Sequence, residues 1–192
     1  MTKSRTRQRR QEKESTSRSR NLIIGVIALV GGIVIIAVVL FVRSSQLPDV
    51  DLGENPDESV VYANLGQEHI PEGSPRPAYN SNPPTSGPHY TQWLPTGVYD
   101  QAAPDENLVH NLEHGHIWLS YRDAADTEAI EALSAIQEQF PSWVIVTYRP
   151  DNVDRIVVAA WTRLLPLETP DEDAILAFVL RFRNQAPESI PG

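Results

Sequence analysis

The chain has 192 residues, a formal net charge of −9 and no cysteine. That length accommodates one compact domain with an appendage rather than two full domains. The lack of cysteine excludes disulfides, iron–sulfur clusters, thiolate zinc sites and cysteine nucleophiles. Any chemistry must therefore use nitrogen and oxygen groups.

The first 43 residues predict a membrane anchor. Residues 1–20 form a basic tail with eight basic and two acidic side chains, and residues 22–42 follow without a charge. At about 1.5 Å per residue, this apolar run is long enough for the roughly 30 Å hydrocarbon core of a bilayer. We therefore expect an uncleaved, single-pass transmembrane helix over residues 21–43. The N-terminus is then cytoplasmic, and its basic tail contacts membrane lipid.

The rest of the chain is acidic, with 23 acidic and seven basic residues after Arg43. Such a charge repels polyanions, so nucleic acid is not an expected partner, and no pattern identifies a protein partner. Residues 44–58 lack hydrophobic periodicity and are typical of a linker. We expect an extracytoplasmic domain over residues 59–185 and a short tail over residues 186–192.

The pattern within this domain predicts an α+β fold, a small antiparallel sheet with helices on one face and a long proline-rich loop. Eight of the 16 prolines lie between residues 71 and 104, which indicates an ordered loop. The regular elements expected after the loop are a helix at 106–114, a strand at 116–121, a helix at 124–140, a hairpin of strands at 143–149 and 155–162, and a helix at 171–184.

All five histidines lie between residues 69 and 116, and three of them fall in the segment ENLVHNLEHGHI. On a helix, His110, Glu113 and His114 share one face, and the aliphatic residues of the segment occupy the opposite face. Two imidazoles at positions i and i+4 can bind one Zn²⁺ or Cu²⁺ ion. The alternative is that this face is a solvated polar surface.

Three further histidines lie outside this pair. His89 is the best third ligand, because it ends the run NPPTSGPH, in which prolines fix the backbone; the alternative is that the loop simply turns there. His116 begins a predicted strand and is either a fourth ligand or an exposed residue. His69 lies in a loop rich in Gly, Glu and Pro and is the weakest candidate. The predicted metal ligands are therefore His89, His110 and His114, with Glu113 in support and His116 as a further candidate.

The segment HNLEH also fits H-x-x-E-H, the inverted zinc-protease motif in which the glutamate activates a zinc-bound water. In that interpretation Glu113 is the base, and the third ligand is a downstream glutamate, for which Glu188 is the only candidate. More simply, Glu113 orients a histidine or is an additional ligand. The sequence contains no G-x-S-x-G, P-loop or G-x-G-x-x-G motif.

The motifs NPPTSGPHY, GVYD, LVHNLEHGHI and AAWTR resemble the bacterial family catalogued as domain of unknown function 3105. The resemblance extends over residues 60–183. The family patterns P-P-T-S-G-P-H and H-x-L-E-H-G fall on Pro83–His89 and His110–Gly115. Members of the family typically have a basic tail, a membrane anchor or signal and then this domain. The family has no settled activity, so the resemblance emphasises these motifs without implying a mechanism.

Three functions remain open from the sequence. The first is a membrane-anchored extracytoplasmic domain that binds copper(II) or zinc through histidines. Copper(I) is disfavoured because Met1 is the only methionine and cysteine is lacking. The second is a metal-dependent hydrolase or oxidase that uses the same residues. The third is a cell-envelope interaction module without a metal, in which the proline-rich loop and Trp93 bind a partner.

Overall fold

The computed structural model describes residues 50–189. Outside this range lie the predicted transmembrane helix, the basic tail, residues 44–49 of the predicted linker and the last three residues of the predicted C-terminal tail. Within residues 50–189, no helix is long and apolar enough to cross a membrane.

The domain combines eight strands with three helices. The strands are β1 (Val60–Val61), β2 (His69–Ile70), β3 (His89–Tyr90), β4 (Gly97–Tyr99), β5 (Ile117–Tyr121), β6 (Val144–Tyr148), β7 (Ile156–Ala160) and β8 (Arg163–Leu167). The helices are α1 (Asp105–Glu113), α2 (Thr127–Gln139) and α3 (Glu172–Phe182). Six strands form one sheet in the spatial order β1-β8-β7-β5-β6-β4, and β2 and β3 form a separate pair. The domain is therefore α+β, as the sequence predicted.

The sheet is mixed, so the prediction of an antiparallel sheet is wrong. β5 lies between β6 and β7, runs parallel to β6 and antiparallel to β7, and β4 also runs parallel to β6. The predicted hairpin of β6 and β7 is therefore wrong as well. Both strands are continuous apolar runs, a pattern that an interior strand of a sheet shows whichever neighbour it has.

The hairpin in the structure joins β7 to β8, a strand that the sequence did not predict. Pro166 argues against a strand because it lacks the N–H that a ladder needs. Here Pro166 pairs with Val157 of β7 on one side of β8. On the other side of β8, β1 pairs only with Arg163 and Leu164. The proline therefore sits where β8 is an edge, the position that tolerates it.

Helices pack on both faces of the sheet, which corrects the prediction that they pack on one. Side chains alternate along β5, so Leu119 and Trp118 point to opposite faces. Leu119 lies in a core formed with α2 and α3. Trp118 lies in a second core formed with α1, and Tyr79 and Leu94 of the proline-rich segment pack against it.

The N-terminus of α1 differs from those of the other two helices, which have side-chain caps. Asp126 and Asp171 cap α2 and α3 by accepting hydrogen bonds from the backbone N–H groups of Ala129 and Ala174. The residue before the predicted helix at 106–114, Asp105, is the first residue of α1, and its side chain makes no capping bond. That carboxylate is used for a tertiary contact.

Asp105 forms a buried ion pair with Arg149, the residue after β6. Arg149 Nε donates to Asp105 Oδ1 at 2.9 Å and Nη2 donates to Oδ2 at 2.8 Å, and the two residues are 6% and 4% exposed. Arg149 Nη1 donates to Asn152, which in turn donates to Ser120 of β5. The pair fixes the N-terminal end of α1 against the sheet.

We expect Asp105→Asn to lower the free energy of unfolding by about 3 to 5 kcal/mol at neutral pH, because Arg149 stays buried without its counter-charge. Burial raises the pKa of the Asp105 carboxyl, but hydrogen bonds and charge from Arg149, and then from Arg76, outweigh burial and lower the pKa. The stabilisation is therefore present above the unfolded pKa of about 3.9 and is lost as pH falls through the folded pKa. Urea unfolding at several pH values measures both effects.

Asp126→Asn is the matched control. It removes the ion pair of Asp126 with Arg155, which is more exposed, and keeps a residue that caps a helix well. We expect a loss of about 1 kcal/mol or less. Equal losses in the two variants would contradict the structural role assigned to Asp105.

Candidate metal centre

Four side chains converge where α1 meets the β2–β3 pair. Ligand atoms of His69, His89, His110 and Glu113 all lie within 4.8 Å of one another. His69 and His89 are side by side because β2 and β3 pair in parallel with these two residues in register. His110 and Glu113 lie three residues apart on α1 and so share one side of the helix.

Distances within this cluster, which we call the inner site, suit a shared ion. Glu113 Oε2 lies 3.0 Å from the Nε2 of His89, 3.6 Å from that of His69 and 3.9 Å from that of His110. A tetrahedral zinc ion with ligands at 2.0 to 2.1 Å separates its ligand atoms by about 3.3 Å. The observed distances lie on both sides of that value.

Hydrogen bonds to backbone carbonyls orient the two most buried imidazoles. His89 Nδ1 lies 2.8 Å from the carbonyl oxygen of Gly87, and His110 Nδ1 lies 2.7 Å from that of Tyr90. A carbonyl oxygen only accepts, so each Nδ1 must donate, and a neutral imidazole has a single N–H. In a neutral ring, Nε2 is then an acceptor. The Nε2 of His89 faces Glu113 Oε2 at 3.0 Å, and the Nε2 of His110 lies 3.0 Å from the Nε2 of His114 and 3.9 Å from Glu113 Oε2.

Burial makes this arrangement of acceptors costly unless a cation completes it. His89 is 0% exposed and Glu113 is 1% exposed. Burial, together with the charge of nearby histidines, lowers the pKa of His110 to about 4, against the hydrogen bond to the Tyr90 carbonyl, which raises it. His110 is therefore neutral at neutral pH with its lone pair available, which is the form that binds metals. Gln67 Nε2 donates to Glu113 Oε1 at 2.8 Å and holds the carboxylate in place.

The backbone of the NPPTSGPH segment fixes the position of His89. Gly87 has φ +116°, which favours glycine, and a Cβ there would lie 3.2 Å from Leu65. Its N–H donates to the Gly66 carbonyl at 3.0 Å, and the N–H of His89 donates to the Glu68 carbonyl at 2.9 Å. These bonds place the strand that carries His89 beside the strand that carries His69.

The structure brings together some of the predicted ligands and leaves others apart. His89, His110 and Glu113 are in the inner site. His114 is adjacent to it, with its Nε2 3.0 Å from the Nε2 of His110. Within residues 50–189, His116 belongs to no candidate metal group, and its Nδ1 donates to the Asn111 carbonyl.

His69 is the member of the inner site that sequence reasoning ranked lowest. It lies in an irregular segment, and its position depends on a pair of two-residue strands that leave no periodic pattern. The signal that the sequence did offer was the confinement of all five histidines to residues 69–116.

Solvent reaches the inner site on the side of His69, whose side chain is 42% exposed. Trp93, which is 45% exposed, covers part of the adjoining surface. Its ring centroid lies 4.5 Å from that of His114 and 5.3 Å from that of His110, with the rings nearly perpendicular. An ion therefore has a route to the buried ligands.

Comparison with protein families gives one match. The model of a family described as a protein of unknown function, DUF3105, matches residues 72–191, well over half of the chain. The chain belongs to this family. Neither the curated proteins nor the solved structures include a match to this chain. The residues matched to DUF3105 contain His89, His110 and Glu113, whereas His69 precedes them.

In this DUF3105 domain, Gly115 allows the C-terminal segment to pack onto the end of α1. Gly115 has φ +84°, and a Cβ there would lie 2.7 Å from the Cα of Asn184. Asn184 N–H donates to the Gly115 carbonyl at 2.8 Å, and Glu188 N–H donates to the Glu113 carbonyl at 3.0 Å. The segment that follows α3 is thus fastened beside the histidines.

We expect Gly115→Ala to destabilise the domain for two reasons, the positive φ and the collision with the backbone of Asn184. Gly73→Ala is the matched control, because Gly73 has φ +78° but a Cβ there would meet nothing within 4 Å. The control should lose about 1 to 2 kcal/mol from the positive φ alone. Gly115→Ala should lose clearly more in urea unfolding, and equal losses would show that the C-terminal segment does not pack this closely.

Proposed function

We propose that this domain binds a divalent transition metal ion, copper(II) or zinc, through His69, His89, His110 and Glu113. The observation that supports the proposal is the orientation of the buried imidazoles. Backbone carbonyls accept hydrogen bonds from the Nδ1 atoms of His89 and His110, which leaves both Nε2 atoms for an ion, at 3.0 and 3.9 Å from the buried carboxylate of Glu113. Metal-binding histidines typically donate their other ring N–H in this way.

The donor set favours copper(II) or zinc over other common ions. Three imidazole nitrogens and one carboxylate oxygen suit Zn²⁺ and Cu²⁺, whereas Mg²⁺ and Ca²⁺ prefer oxygen ligands throughout. The chain has no cysteine, and Met1 is its only methionine, so it offers no sulfur ligand that would favour copper(I).

A proton is the competing explanation for the same geometry. If His89 carried a second proton, its Nε2 would donate to Glu113 Oε2 across the observed 3.0 Å. The histidines would then be structural, and the domain would serve as an interaction module. Metal titration separates the two explanations, because a protonated pair gains no stability from Zn²⁺ or Cu²⁺.

Zn²⁺ or Cu²⁺ should raise the melting temperature of the full-length protein by several degrees relative to EDTA. An ion that binds only the native state at 100 times its Kd adds about 2.7 kcal/mol. Alanine at His69, His89 or His110 should each weaken binding at least tenfold, about 1.4 kcal/mol. Calorimetric titration measures the affinities.

His116→Ala is the control for these variants, since it removes a histidine of similar burial that lies outside the inner site. It should bind the ion as tightly as the original protein. If neither Zn²⁺ nor Cu²⁺ changes the melting temperature, the metal proposal fails and the interaction module is favoured.

We further propose that the domain is held outside the cytoplasmic membrane by the apolar run of residues 22–42, with the basic tail inside. The support is the sequence pattern alone, a 21-residue uncharged stretch preceded by eight basic residues. The ion would then come from the extracytoplasmic environment.

This topology predicts that protease added to intact spheroplasts cleaves the domain away from the membrane fraction. A reporter fused after Gly192 should be active only outside the cytoplasm. A reporter that is active in the cytoplasm would contradict the proposed location without affecting the metal proposal.

A further inference from the structure

We propose that a second divalent ion binds beside the first, held by His114 and Glu188 and sharing the carboxylate of Glu113. This inference rests on the proposed function of the inner site. Ligand atoms of Glu113, His114 and Glu188 all lie within 4.8 Å of one another and form what we call the outer site. Glu113 is the one residue common to the two sites.

The orientation of His114 repeats that of the inner histidines. Its Nδ1 lies 2.9 Å from the carbonyl oxygen of Glu188, so Nδ1 donates and Nε2 is the ring nitrogen left to bind an ion. That Nε2 lies 3.0 Å from the Nε2 of His110, whose proton is also on Nδ1. Because both Nδ1 atoms donate to carbonyls, two Nε2 atoms at this distance need positive charge beside them, supplied by a proton or by a metal ion.

One ion does not account for both lone pairs in this geometry. The Nε2 of His110 has a single lone pair, which the inner ion uses. His114 lies outside the group formed by the inner ligands, and its nearest carboxylate partner other than Glu113 is Glu188, at 4.0 Å. An ion on the Glu188 side of His114 gives its lone pair a partner of its own.

Hydrogen bonds hold Glu188 in place at the outer site. Glu188 N–H donates to the Glu113 carbonyl, and the Glu188 carbonyl accepts from His114. Ser189 Oγ donates to carbonyls of the same segment, including that of Asn184. The backbone of Glu188 is thus bonded to both other members of the outer site, and the close packing at Gly115 supports the same arrangement.

The ligands indicate which ion the outer site takes. Two carboxylates and one imidazole form a harder donor set than the inner site, which suits Zn²⁺ or Mn²⁺ better than Cu²⁺. The Glu188 side chain is 55% exposed, so the outer ion should exchange with solvent faster than the inner one. Metal pairs that share ligands in this way typically lie about 3.5 to 4 Å apart.

Zinc stoichiometry of the full-length protein tests the inference. The original protein should bind two equivalents of Zn²⁺ in calorimetric titration and elemental analysis, one tightly and one more weakly. Glu188→Gln and His114→Ala should each reduce this to one tight equivalent. Glu168→Gln, a change at another exposed glutamate, is the matched control and should keep two.

Mn²⁺ added to protein that already holds one equivalent of Zn²⁺ gives a second measurement. The electron paramagnetic resonance signal of free Mn²⁺ should decrease on binding, and Glu188→Gln should abolish the decrease. Melting curves of the variants without metal confirm that each remains folded.

The outcomes separate this inference from the proposed function. If the original protein binds one tight equivalent of Zn²⁺ and Glu188→Gln leaves its affinity unchanged, the outer site is wrong and the inner site stands. If Glu188→Gln weakens that single equivalent, two separate ions are wrong and the inner ligand set is wrong as well. If the protein binds no Zn²⁺ or Cu²⁺ at all, both proposals fail.

Discussion

The structure around the histidines depends on one constraint: the Nδ1 atoms of three imidazoles donate hydrogen bonds to backbone carbonyls. The carbonyls belong to Gly87, Tyr90 and Glu188, which lie in two distant parts of the chain. Each bond fixes both the ring orientation and the tautomer, and so directs a lone pair toward Glu113 or its neighbours. A set of buried acceptors without donors is unfavourable, so this geometry is stable only with added positive charge.

This constraint explains how the irregular segment that carries β2 and β3 keeps a fixed position against α1. β2 and β3 have two residues each, far too little to be stable as an isolated pair. They are held by α1 on one side and by side chains such as Tyr79, whose hydroxyl donates to the Pro88 carbonyl at 2.7 Å. An ion shared between the strands and the helix would link them directly, which couples metal binding to the folding of this segment.

The sequence predicted the parts that depend on local periodicity. The helix at 106–114 matches α1 within a residue at each end, and the spacing of His110 and Glu113 follows from it. The partners of strands depend instead on distant contacts, so β5 separating β6 and β7 was not predictable. His69 was the weakest metal-ligand candidate from the sequence for the same reason, because its contact with Glu113 spans more than forty residues of chain.

Helix α1 links the stability of the fold to the chemistry of the site. All nine of its residues are buried, with Asp105 at the N-terminal end and Glu113 at the C-terminal end. The peptide dipoles of a helix favour negative charge at its beginning and positive charge at its end. Asp105 meets the first preference. His110 and Glu113 lie in the last turn, with His114 as the C-terminal cap, so the cluster that could hold a metal ion lies where the helix itself attracts a cation.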